Sequence, residues 1–309
     1  MVETGRTRCS NPPIKQLPKH HDPVGIRRAF VPRPGFVYAN DDYSTLELRA
    51  LAQVCLWLFG QSKMADALHE GLDLHYMLAA WQLGVPYDEV KNHPEAKTRR
   101  QLSKAANFGF PGGLGAASFI TYARKAFGVT ITVPEARDLK RQWLAAWPEA
   151  RLYFDYIGDR CARSGDSFTA LQFKSGRLRG GVGYCDGCNT FFQGLAADGA
   201  KAAMFYASQE CYTGTSEIWT GSEPSPLHGS RIVSFMHDVL LVECPEDRAP
   251  EAAARLSEVM IAGMECYIPD VPITTGGATL TRRWLTDAEP VFDAGGRLTI
   301  FEDDTDART

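Results

Sequence analysis

The apolar positions of this chain change period several times, and the changes divide it into segments. Residues 36–42 read Phe-Val-Tyr-Ala-Asn-Asp-Asp, an aromatic and β-branched run after the turn signal Pro34-Gly35, and predict a strand. A second such run, from Ile232 to Val242, is interrupted by His237-Asp238 and predicts a strand, a tight turn and a returning strand. Between the two, helical spacing dominates, most clearly over 66–83, 94–110 and 134–147. Residues 166–185 suggest a Gly-rich hairpin region, and 189–212 a helix with small residues on one face. The Ser, Gly and Pro of 213–229 predict a loop, 250–267 a helix, and the last strand falls near 271–280. The pattern is that of an α+β chain with a helical insert between two strands that end in aspartates.

Candidate chemistry lies at those strand ends and in the insert. Wound as a helix, 99–109 places Arg100, Lys104 and Phe108 on one face, four residues apart. Two cations and an aromatic ring in a row suit a ligand with anionic phosphates at one end and a flat ring at the other, as in a nucleoside triphosphate. Helically spaced Arg and Lys also occur on ordinary solvated faces, so the two flanking aspartates decide between these readings. Asp42 closes the first strand and Asp238 lies in the turn of the second run. Carboxylates at strand ends can hold Mg²⁺ with substrate phosphates completing its shell, and two such ions about 3.5–4 Å apart serve an in-line phosphoryl displacement.

These segments resemble the motifs of a family A DNA polymerase, the bacterial polymerase I type, and more closely its phage branch. Asp42-Tyr43-Ser44-x-x-Glu47-Leu48-Arg49 resembles motif A, Arg100-x-x-x-Lys104-x-x-Asn107-Phe108-Gly109 motif B, and His237-Asp238 motif C. Thr4-Gly5-Arg6, Asp73-Leu74-His75 and Asn189-Thr190-Phe191-Phe192-Gln193-Gly194 resemble smaller family segments, and the likeness runs from about residue 4 to Trp284. The resemblance implies a palm built on an antiparallel sheet, with inserted helical fingers. It assigns 1–60 and 166–284 to the palm and 61–165 to the fingers. A thumb and an exonuclease are expected to be absent, which leaves open a split polymerase, a fragment, or a separate thumb- or exonuclease-bearing subunit or processivity factor.

The implied activity is template-directed DNA synthesis, adding dNMP from dNTPs to a primer 3′-end on primer–template DNA. Two Mg²⁺ ions, replaceable by Mn²⁺, are implied on Asp42, Asp238 and the carbonyl of Tyr43. Arg100, Lys104 and His75 are implied on the β- and γ-phosphates, with Lys104 also a general acid and Phe108 near the sugar and base. Glu47, five residues after Asp42, matches the family's steric gate against a 2′-hydroxyl. Arg6, Asn189, Gln193 and His237 match contacts to the minor groove or primer terminus. The alternative is a non-catalytic primer–template or nucleotide-binding module, against which the retained carboxylates and cations argue. A single-subunit RNA polymerase is opposed by Glu47 and Phe108.

Two positions depart from the family. Gly112, after Pro111, stands where motif B carries a tyrosine, so the helix is expected to end near Phe110. Val239 replaces the acid that follows motif C, with Glu243 as the candidate substitute. Charge adds one refinement. The net is −4 over 309 residues, but 285–309 holds seven acids against two arginines, which leaves the remainder at +1. That tail is expected to be disordered or to repel nucleic acid. The eight cysteines show no paired framework and suit reduced thiols. No apolar run nears the roughly 18 residues of a membrane span, so a soluble cytoplasmic protein, bacterial or in a phage-infected host, is expected without membrane partners.

Overall fold

The computed structural model describes residues 2–14, 17, 25–236 and 238–303. These residues form two compact units. The first comprises Met1–Ser44, Ala197–Tyr267 and Ile273–Thr309, the second Thr45–Ala196 and Ile268–Pro272. The chain passes from the first unit to the second after Ser44 and returns after Ala196, and residues 268–272 also belong to the second.

In chain order, β1 (Phe36–Asp42) leads into α1 (Leu46–Phe59), α2 (Lys63–His69), α3 (Leu74–Leu83), α4 (Tyr87–Val90) and α5 (Ala96–Gly109). Then come α6 (Ala116–Phe127), α7 (Val133–Ala146), α8 (Glu149–Arg163), the hairpin β2 (Phe168–Leu171) and β3 (Leu178–Val182), and α9 (Tyr184–Thr213). The chain continues as β4 (Arg231–Met236), β5 (Val239–Pro245), α10 (Ala249–Glu265), β6 (Thr279–Thr281), β7 (Val291–Phe292) and β8 (Leu298–Phe301).

The first unit is built on a six-stranded sheet in the order β4-β5-β1-β6-β8-β7. β1 lies antiparallel to both β5 and β6, and β6 runs parallel to β8. Val37, Ala39, Leu240 and Val242 are buried, and α10 packs on β1, β5 and β6. Small residues let α10 approach the part of α9 that starts at Ala197. A Cβ on Gly263 would lie 2.5 Å from the backbone of Ala203, and one on Gly199 would lie 2.4 Å from Met264 Sδ. The small-residue face expected of this helix is therefore a packing face.

Residues 285–303 correct the expectation of a disordered tail. Asp293 Oδ1 accepts from the backbone N–H groups of Gly295 and Arg297, Gly296 takes φ +77°, and the turn so formed pairs β7 with β8. Leu280 and Ile300 then stand in register between β6 and β8. The acids dominate the charge count, but 298–301 reads Leu-Thr-Ile-Phe, a strand pattern that covers a sheet edge.

In the second unit α3 packs on α4, α5 and α7, and α5 on α6, around fully buried Phe110, Phe119, Trp143 and Tyr153. The single helix expected over 66–83 is two. Gly71 adopts φ +72°, and Asp73 caps α3 by accepting from the N–H groups of His75 (2.7 Å) and Tyr76 (3.2 Å). α5 ends at Gly109 and gives way to a 3-10 turn at Phe110–Gly112, where Pro111 has no N–H to continue the ladder. Among the described residues no helix is long and apolar enough to cross a membrane.

The loop over 213–229 is held by a buried ion pair. Glu210 is fully buried and accepts from Arg255 at 2.7 and 2.8 Å and from the hydroxyls of Ser216 and Ser225 at 2.6 Å each. The Arg255 guanidinium lies 4.7 Å over the Trp219 ring. Burial pushes the Glu210 carboxyl up, and the four donors more than reverse that, leaving it below the usual range. Removing one partner from a buried ion pair typically costs about 3–5 kcal/mol. Arg255→Met is expected to lose that much in urea unfolding, while Glu210→Leu combined with Arg255→Met recovers most of the loss; equal losses would rule out the ion pair as the cause.

Candidate functional site

The register of β1 against β5 brings together two carboxylates far apart in sequence. Asp42 stands opposite Val239 and Asp41 opposite Leu240, while Met236 pairs with Val239 across the β4–β5 hairpin. Asp238 is therefore in the hairpin turn, next to the C-terminal end of β1. The Tyr43 N–H donates to the Asp238 carbonyl at 3.3 Å, and Tyr43 forms a bridge with Thr275. Its ring is buried, with the hydroxyl donating to the Met260 carbonyl at 2.6 Å. His237 lies outside the described residues.

Strand alternation assigns the neighbouring aspartates to different tasks. Asp41 is buried and accepts from Ser257 of α10. Burial pushes its carboxyl up to about 6, against the hydrogen bonds from Ser257 and Thr275. Asp42 is exposed and lines a cavity of about 290 Å³ with Asn40, Val239, Gly276, Trp284 and Glu289. A Cβ on Gly276 would lie 2.6 Å from Asp42 Oδ1, so glycine there makes room for the carboxylate. Glu289 belongs to the segment expected to be disordered, and charge composition alone gave no sign of its place here.

Arg6 is half-buried and within electrostatic reach of Asp238; burial lowers its pKa and Asp238 partly offsets the shift. The expectation that Glu243 replaces the acid missing at Val239 fails. Glu243 faces Tyr38 in register, about 13 Å along the strand from the Asp42 end at 3.3 Å per residue. It is held by Arg33, whose Nε donates at 2.7 Å and whose backbone N–H donates at 2.6 Å.

In the second unit α5 presents its cations as its spacing requires. Arg100 donates to Asp73 Oδ2 through Nε (3.2 Å) and Nη2 (2.7 Å) and lies 4.8 Å over the Tyr76 ring. Burial raises the Asp73 carboxyl, and Arg100 and His75 pull it below its ordinary range. Lys104 is half-buried one turn further on. Phe108 stacks on Phe127 at 6.3 Å and tilts against His75 at 5.4 Å. His75 is buried, and its pKa falls to about 4, first through burial and then through Arg100 and Lys104, against Asp73. The N-cap pattern of Asp73 is visible in the sequence, but no local spacing marks it as a tether for Arg100.

Asn189 and Gln193 share a half-exposed face of α9, with Gln193 Nε2 donating to Asn189 Oδ1 at 3.2 Å. Asn189 Nδ2 donates to the Cys185 carbonyl at 3.0 Å. A Cβ on Gly112 would lie 2.9 Å from Asn189 Oδ1, so a side chain at this position would require the Asn189 amide to shift. Glu47, half-buried, stands in the first turn of α1, after Thr45 at φ +51°.

The first unit offers two aspartates at adjoining strand ends, oxygen donors of the kind Mg²⁺ takes. The second offers a row of cations with a neutral histidine and an aromatic ring. The model of a family described as DNA polymerase family A matches residues 1–285. The chain is 26% identical over 286 residues to DNA polymerase I of Aquifex aeolicus, covering 92% of this chain and 44% of that protein. With DNA polymerase I of Chloroflexus aurantiacus the identity is 30% over 83% of this chain and 25% of that protein. The solved structure of the POL domain of Pol1 from M. smegmatis, a complex with DNA primer-template and dNTP, superposes with a TM-score of 0.70 at 25% identity. That match covers 92% of this chain and 46% of the other. The chain thus spans less than half the length of these relatives, yet the family match takes in both strand-end aspartates and all of α5. This chain belongs to DNA polymerase family A.

Proposed function

We propose that this chain carries the catalytic core of a template-directed DNA polymerase, transferring a nucleotide from a dNTP to a primer 3′-hydroxyl. The observation that carries this reading is the β1–β5 register, which puts Asp42 and Asp238 at adjoining strand ends within a family match that also contains Arg100, Lys104 and Phe108. Asp42, Asp238 and the Tyr43 carbonyl would hold two Mg²⁺ ions, with Mn²⁺ able to substitute. Bound there, they would supply Lewis-acid activation of the primer hydroxyl and neutralisation of the triphosphate charge.

The protein's own groups supply the rest. Arg100 and Lys104 bind the β- and γ-phosphates as fixed cations, with Asp73 orienting Arg100. Lys104 gives a proton to the departing pyrophosphate oxygen, and His75 donates a hydrogen bond without adding charge. Phe108 stacks beside the incoming sugar and base. Glu47 excludes a 2′-hydroxyl by occupying its space. Arg6, Asn189, Gln193 and His237 contact primer–template DNA, where minor-groove acceptors are much the same for every correct pair. The Pro111-Gly112-Gly113 version of motif B supports the phage-like branch of the family, while the relatives named above are bacterial.

Primer extension with the purified chain, dNTPs and Mg²⁺ or Mn²⁺ tests this. Incorporation is expected, and Asp42→Ala or Asp238→Ala should lower it by about a thousandfold or more. No incorporation in either metal, with or without a thumb-bearing partner, would leave only a binding module. Glu47→Ala is expected to raise ribonucleotide incorporation relative to deoxynucleotide; an unchanged ratio would remove Glu47 as the gate. Gly276→Ala should slow extension about tenfold or more by displacing Asp42, since small misplacements at a reacting centre are costly. Full activity in that variant would show that the carboxylate has room to shift.

A further inference from the structure

Asn107, one residue before Phe108 on α5, is fully buried and makes four hydrogen bonds. Its Oδ1 accepts from the indole nitrogens of Trp143 at 2.9 Å and Trp147 at 3.2 Å. An indole N–H can only donate, so the amide oxygen must face the two tryptophans and the orientation of the amide is settled. Nδ2 therefore faces the other way, donating to the Leu74 carbonyl at 3.1 Å and meeting His75 Nδ1 at 3.0 Å. A donor at that distance requires a lone pair on Nδ1. The proton of the neutral ring then sits on Nε2, which is buried and has no partner among the described residues. A buried donor without an acceptor is costly and uncommon, and this one is on a ring that touches Phe108 beside the cations of α5.

We propose that Asn107 is a positioning residue that locks His75 in its Nε2–H tautomer, so that the ring offers an uncharged hydrogen-bond donor to a phosphate oxygen of the bound nucleotide. The phosphate rests on the polymerase function proposed above; the tautomer rests on the hydrogen bonds alone. Protonating Nδ1 would set two donors 3.0 Å apart. Burial, with Arg100 and Lys104 of α5 set against Asp73 at the start of α3, acts in the same direction and keeps the ring neutral near pH 7. The design gives directionality where the cations give charge. A fixed N–H specifies where an oxygen must sit, whereas a third cation would attract an anion in many poses.

The tautomer can be read by long-range ¹⁵N–¹H correlation on the full chain labelled at histidine, with His75 assigned by its loss in His75→Phe. At pH 7 an unprotonated-type Nδ1 and a protonated-type Nε2 are expected. An Nδ1–H tautomer or an imidazolium would overturn the proposal. In Asn107→Asp, nearly isosteric and still able to accept from both indoles, a carboxylate oxygen faces Nδ1, and the proton is expected to move there; an unchanged tautomer would overturn it too. Binding of dTTP, read by calorimetry without turnover, is expected to weaken about tenfold in His75→Phe and in Asn107→Asp. It should weaken no further in the double variant, because the two act as one unit. Independent, multiplying losses, or binding indifferent to His75, would count against the proposal. A chain that binds dTTP this way yet fails to extend a primer would refute the polymerase function and leave the tautomer lock standing.

Discussion

The antiparallel pairing of β1 with β5 is the constraint on which the first unit depends. It fixes the sheet order, gives α10 a face to cover, and sets Asp42 beside the turn that holds Asp238. Side chains alternate across a sheet, so a slip of one residue would send Asp42 under α10 and turn Asp41 outward. Buried Val37, Ala39, Leu240 and Val242 oppose that slip, since it would expose an apolar row and bury polar groups. The same alternation explains how two adjacent aspartates serve different ends: one is bonded to Ser257 inside the unit, and the other is exposed. Glycine at 276 completes the arrangement by leaving space at the Asp42 carboxylate.

The second unit relies on buried polar groups that are mutually satisfied. Asn107 ties α5 to the start of α3 and to the tryptophans of α7 and its C-cap, so one side chain sets the spacing of three elements. Asp73 does similar work nearer the surface, capping α3 while holding Arg100. Networks of this kind orient charged groups that would otherwise explore many rotamers. The aromatic cluster of Phe110, Phe119 and Trp143 behind them is apolar and closely packed, with ring centroids of Phe110 and Phe119 only 4.3 Å apart. Gly109 allows α6 to come this near, because a Cβ there would meet Tyr122 at 2.9 Å.

The family match ends at residue 285, and the chain beyond it adds a hairpin to the sheet rather than trailing from it. β8 covers the edge of β6, and Arg28 and Glu251 pair with Asp303 and Arg297 at 2.9 Å each. Exposed pairs of this kind contribute little individually, so the strand pairing carries the attachment. The segment leading into the hairpin supplies Glu289 and Pro290 to the cavity that Asp42 lines.

Much of this was legible in the sequence wherever the signal is local. β1 follows from its β-branched and aromatic run, and the face of α5 from four-residue spacing. The end of that helix follows from Pro111, because backbone sterics act within a few residues. The family motifs pointed to Asp42, Asp238, Arg100, Lys104 and Phe108 by their order and spacing. Long-range partnerships were not legible. No local pattern says that Glu243 will meet Arg33 instead of standing near Asp42, that Asp73 will hold Arg100, or that Asn107 will sit between His75 and two indoles. Nor does composition reveal that an acidic segment will pair with β6, since net charge reports solubility and hides a short apolar alternation. Those outcomes depend on which buried surfaces meet and which polar atoms must find partners once water is excluded. That selection is made only when distant segments pack.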